Sequence, residues 1–116
     1  MDDFRKQFLN SKANLSAKEV TWNGLKVTIV EPTAGKRAKI RKAAAKIHGQ
    51  DVEVDQGELE VWSVIYCTHD EKGEKRIFDE ADHDMLLELP GSQLDVLARP
   101  AMEYMGIGRS EDEAKN

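Results

Sequence analysis

The sequence predicts an α+β fold, mostly helical, in which one N-terminal β-hairpin (about 18–31) packs on about four helices. Three observations carry that prediction. An Asn-Gly pair, Asn23-Gly24, sits between two alternating segments. Apolar residues recur at helical spacing over 36–48, 79–89 and 93–106. Glycines and prolines (Pro32, Gly49, Pro90-Gly91, Gly106) fall at the ends of those stretches, where each punctuates structure.

Asp2 and Asp3 can cap a short helix through about Asn10, with Phe4 and Phe8 one turn apart. Both rings are expected to dock on the core, and residues 11–16 to form a polar loop. In KEVTWNGLKVTIVEP, at 18–32, the two-residue Asn-Gly loop needs positive φ at both positions, which these residues tolerate best. That turn pairs Trp22 with Leu25 and Val20 with Val27. One face then carries Val20, Trp22, Leu25, Val27 and Ile29, and the other Glu19, Thr21, Lys26 and Thr28. Turn and hydrophobic pattern thus specify the same register. An isolated hairpin is marginal, so its apolar face must rest on helices.

Pro32 ends the strand. The stretch 36–48, KRAKIRKAAAKIH, reads as a helix closed by Gly49, with Ile40, Ala43, Ala44 and Ile47 as its buried stripe. Residues 50–57 form an acidic connection. The segment 58–68, ELEVWSVIYCT, is open on pattern alone. Its β-branched and aromatic residues suit a strand, whereas Leu59, Trp62, Ile65 and Tyr66 are spaced for a helix that Asp55 and Glu58 would cap. It is counted among the helices, at 56–68. Residues 69–75 make a charged turn, and Arg76-Ile77-Phe78 a short extended return.

Asp79 is an N-cap candidate, with Glu80 and Asp82 at the positive end of the helix dipole. In the helix 79–89, Ala81, Met85 and Leu89 are expected inside, with Leu86 at the edge. Pro90-Gly91 stops it, and Ser92 with Asp95 starts the next, 93–106, which buries Leu94, Leu97, Ala98, Ala101 and Met105. Pro100 should kink or divide that helix, because it lacks a backbone donor.

With 116 residues the chain fits one domain, 1–108, followed by an acidic tail at 109–116 that is expected to be mobile. Cys67 is the single cysteine, which rules out an internal disulfide and suits a reducing compartment. Met1-Asp2-Asp3 lacks the basic and apolar regions of a secretory signal. No apolar run approaches the roughly 20 residues of a membrane span. A net charge of −5 argues against nucleic acid as the main partner of the whole surface.

Three arrangements invite a chemical reading. Lys36, Arg37, Lys39, Arg41, Lys42 and Lys46 form a basic run with no acid among them. On a helical wheel they flank the apolar stripe on both sides, as snorkelling side chains do; a nucleic-acid-associated or regulatory role for 36–46 is the alternative. Cys67, His69 and His83 lack the paired spacings of a zinc site. The acids at 79–84 lack the glycine and terminal glutamate of a calcium loop, and helix capping accounts for them. No nucleophile–base pattern, phosphate loop or dinucleotide fingerprint is present. Neither an enzyme nor a cofactor is expected. Leu87, by contrast, lies opposite the Met85 stripe, and Val96, Pro100 and Ile107 fall together opposite Leu94 and Ala98. A line of apolar residues across two helices is a candidate partner or self-association surface.

The order of short motifs completes the reading. VTWNGLKVTIVEPTAGKRAKIRKA is followed by HDEKGEKRIF, the helix start FDEAD, a final MGIG, and an acidic tail ending in Lys115-Asn116. In this order the chain resembles the tail assembly chaperones of long, non-contractile-tailed bacteriophages, the small G-type proteins encoded just before the tape measure protein. Pro90-Gly91 and Pro100 depart from the smoother alanine-rich helix expected of them. The resemblance implies a non-catalytic role in the host cytoplasm, outside the mature virion. The tape measure protein and the tail tube protein would be the partners, with self-association in a ring or spiral. It also implies a longer form made by programmed −1 frameshift, for which Lys115-Asn116 is codable as A-AAA-AAC.

Overall fold

Residues 3–11 and 15–106 are described by a computed structural model. Helix α1 (Asp3–Ser11) leads into the hairpin β1 (Ala17–Trp22) and β2 (Leu25–Val30). Helix α2 (Ala34–Ala44), strands β3 (Ala45–His48) and β4 (Asp51–Val54) and helix α3 (Gln56–Cys67) come next. Strand β5 (Thr68–His69), a 3₁₀ turn (Glu80–Asp82), α4 (His83–Leu87) and α5 (Gly91–Tyr104) complete the order.

The hairpin has the expected register: Trp22 pairs with Leu25 and Val20 with Val27. Asn23 and Gly24 hold φ of 50° and 80°, the left-handed pair that lets the loop match the strands' twist. β5 joins β2 on its far side, giving the order β1-β2-β5. Thr28 is consequently buried on the face expected to be polar, and its hydroxyl donates to the Glu71 carbonyl at 2.9 Å. The charged turn returns through a bridge between His69 and Arg76. Val27 and Ile29 are buried, whereas Leu25, beside the turn, is exposed.

α3 is the axis of the domain. Asp55 caps it by accepting from the Glu58 amide at 2.9 Å, which settles 56–67 as helix. Leu59, Val61, Ser63, Val64, Ile65 and Cys67 are all buried, because α2 covers one side of α3, α5 another, and α4 its start. α5 also lies on β1 and β2, and the Trp22 indole donates to the Gln93 carbonyl at 3.1 Å. Covered from two sides, α5 buries a wider arc than one stripe: Leu97, Ala98, Pro100, Ala101 and Met102. No described helix is long and apolar enough to cross a membrane.

Several expectations are corrected. α2 stops at Ala44, not His48, and Ala45–His48 pairs with Asp51–Val54 as a second hairpin. Both segments alternate, and a two-residue Gly49-Gln50 loop joins them, with Gly49 at φ 64°. The pairing sets Ile47 against Val52 and Lys46 against Glu53, so apolar meets apolar and opposite charges meet. Ile40 and Ala44 are buried as expected, but Ala43 and Ile47 are exposed. Asp79 caps a 3₁₀ turn, its carboxylate accepting from Ala81 N while Asp82 accepts from Asp79 N. Three residues at 3.0 per turn advance the wheel by about 60° relative to 3.6 per turn. That advance brings Leu86 fully inside and leaves Met85 half exposed. The last helix begins at Gly91, its first turn satisfied by the Pro90 carbonyl, which accepts from Gln93 and Leu94; Ser92 does not cap it. That helix continues through Pro100 to Tyr104, since burial on both flanks offsets one missing backbone bond. Phe4 is 79% exposed and Phe8 also stands outside, because α5 already covers the hairpin. Ile107 and the tail lie outside the described residues.

Candidate interaction surface

The β3–β4 ribbon stands out from the body. Alternation puts Ala45, Ile47, Val52 and Val54 on one face, and Ile47 and Val52 remain 75% and 67% exposed. The base of the ribbon is fastened: Asp55 N donates to the Ala44 carbonyl at 2.9 Å, and the Lys46 ammonium meets the Asp55 carboxylate at 3.0 Å. The Glu58 amide, and then Lys46, hold the Asp55 carboxyl below its ordinary range. The ribbon is therefore rigid at its root and apolar on an open face.

The basic run is divided by the same change of structure. Lys46 belongs to β3 and is paired, while Arg37, Lys39, Arg41 and Lys42 are exposed on α2. The Arg41 guanidinium donates to the Met105 carbonyl at 3.4 Å, fastening α2 to the end of α5.

Of the four residues expected to form a contact surface, Leu87 is 49% exposed on α4 and Val96 41% exposed on α5. Pro100 is buried, because it falls in the arc of Leu97 and Ala101 at helical spacing, and it is removed from that surface. Ile107 lies outside the described residues. Val96 borders a shallow hollow with Ser92, Asp95 and Arg99. Asp95 and Arg99 also line a groove of about 290 Å³ between α3 and α5. Ala98 and Met102 form its apolar floor, and Glu60 and Glu103 stand on its rim. Burial, and then repulsion from Asp95, push the Glu60 carboxyl up.

Cys67 is buried, and burial pushes its thiol up to about 12, far from the thiolate that a nucleophile or metal ligand requires. The His69 ring nitrogen Nδ1 lies 2.8 Å from the Cys67 carbonyl. His83 is at the other end of α3, between Glu58 and Asp84.

Sequence reasoning missed the ribbon, whose signal was present as Gly-Gln between alternating segments. Met85 was missed because a 3₁₀ turn changes the phase of the helix after it, and sequence periodicity does not reveal that.

No family model matches the chain, and no curated protein does. Among solved structures, the bacteriophage HK97 tail assembly chaperone has a similar fold, with a TM-score of 0.54 and 16% identity. The alignment covers 85% of this chain and 98% of that one.

Proposed function

We propose that this chain is a tail assembly chaperone of a long-tailed bacteriophage. In the host cytoplasm it binds the tape measure protein, keeps that long helical partner soluble and helps to recruit tail tube subunits. It self-associates in a ring or spiral along its partner and leaves before the virion matures. The observation that carries the reading is the fold shared with the HK97 chaperone along almost that protein's whole length. A motif order that resembles the same family supports it.

The chemistry is binding alone. Exposed apolar side chains on rigid elements (Ile47 and Val52 on the ribbon, Leu87 on α4, Val96 on α5) would cover apolar stripes of a partner helix that otherwise aggregates. The net charge of −5 keeps the complex soluble. Leu87→Asp and Val96→Asp test the two helical positions by capture of immobilised tape measure protein. Both variants are expected to fold and to lose capture. Normal capture by both removes Leu87 and Val96 from the contact surface, and no capture by the unaltered chain removes the proposed function.

A further inference from the structure

His83 sits where the start of α4 meets the start of α3. Its Nε2 lies 2.8 Å from Glu58 Oε2, and its Nδ1 lies 2.9 Å from Asp84 Oδ1. The imidazole stacks on the Trp62 indole, with ring centres 4.9 Å apart. An ionised carboxylate only accepts hydrogen bonds, and a neutral imidazole has one N–H. In the neutral ring, one nitrogen lone pair would therefore face a carboxylate oxygen at contact distance. Only the imidazolium donates to both, and stacking on an indole face favours that cation further.

We propose that His83 is a pH-operated latch: as an imidazolium it fastens α4 to α3 through Glu58, and that fastening weakens as pH rises and the ring loses its proton.

The neighbouring charges leave His83 as the responsive group. From α3, Glu58 faces the ring; from α4, Asp84 does. In the 3₁₀ turn, Glu80 is paired with Arg76, and Asp82 accepts from the Asp79 amide. Lys46, whose charge reaches Glu58, is itself held by Asp55. Asp84 first, and Glu58 with it, hold the His83 imidazolium above its ordinary 6.5 against the opposite pull of burial. The Asp84 side chain is almost fully exposed and joins ring and carboxylate of one helix, so solvent screens it; the bond to Glu58 is the one that ties two elements. The raised value fixes the sign. The stabilisation is complete below about 6.5 and is lost as pH climbs through the folded-state value. The latch holds in place the half-exposed pair Met85 and Leu87, with Leu86 as the buried anchor.

The test is residue-resolved amide exchange by NMR on the whole chain between pH 6 and 9, corrected for intrinsic rates, with the His83 ring ¹⁵N shifts recorded alongside. The wild-type ring should titrate above the 6.5 of a free imidazole. Opening of the amides of Leu86–Leu89 should rise several-fold across the range, while α3 and α5 core amides stay protected. Glu58→Gln removes the α3 anion that favours the imidazolium, so the pH dependence should flatten with the fold retained. His83→Gln should make α4 opening independent of pH over this range. A ring that titrates at or below 6.5, an α4 response as steep in Glu58→Gln as in wild type, or equal opening of α3 and α5 would each overturn the latch.

Discussion

Replacing Ile47 and Val52 by serine should separate folding from association. Fully burying an aliphatic side chain of this size contributes about 1.5–3 kcal/mol. In the folded monomer Ile47 is 75% exposed and Val52 67%, so each realises only a quarter to a third of that. The double variant should thus lose no more than about 1–2 kcal/mol of folding stability. A partner that covers the ribbon would bury the remaining fraction, worth about 1–2 kcal/mol per residue and about 2–4 kcal/mol together. At 1.4 kcal/mol per tenfold, that weakens binding by roughly 30- to 700-fold. The assay is sedimentation velocity for self-association, paired with titration of tape measure protein, and thermal melts establish that the variant is folded. Undiminished assembly and tape measure binding by a folded variant would refute the assignment of the ribbon to either interface.

Other consequences concern the fold itself. Leu97→Ala empties a fully buried site and should cost about 2–5 kcal/mol in urea unfolding, whereas Leu87→Ala, half exposed, should cost much less. Gly24→Ala meets nothing within 4 Å of the new Cβ but keeps φ at 80°, so a penalty of about 1 kcal/mol should arise from backbone conformation alone. Cys67, buried with its thiol held near 12, should resist a thiol reagent at pH 8 in the native protein and react once denatured.

The elements legible in the sequence were those in which two local signals agreed. At Asn23-Gly24 the turn chemistry and the alternation of Val20, Trp22, Leu25 and Val27 specify one register, and the structure has it. Leu97, Ala98, Ala101 and Met105 were legible because helical spacing ran unbroken between Pro90 and Gly106. The failures came where two periodicities overlapped. Ile47 fits the seventh position after Ile40 on a helix and equally the partner of Val52 in a hairpin; the latter satisfies 50–54, which a helix to His48 would have left as an unpaired acidic connection. Pro100 was placed outside because a wheel cannot show that α5 is covered by both α3 and the sheet. Of the residues picked for a contact surface, Leu87 and Val96 stand exposed, while the more exposed ribbon was hidden inside an assumed helix.

The most direct measurement is the soluble fraction of the tape measure protein when it is expressed with and without this chain. The proposed function predicts that the tape measure protein is insoluble alone and soluble with the chain, and that the two co-elute at high mass on gel filtration. A tape measure protein that stays insoluble, or that is soluble while this chain elutes separately, would contradict it.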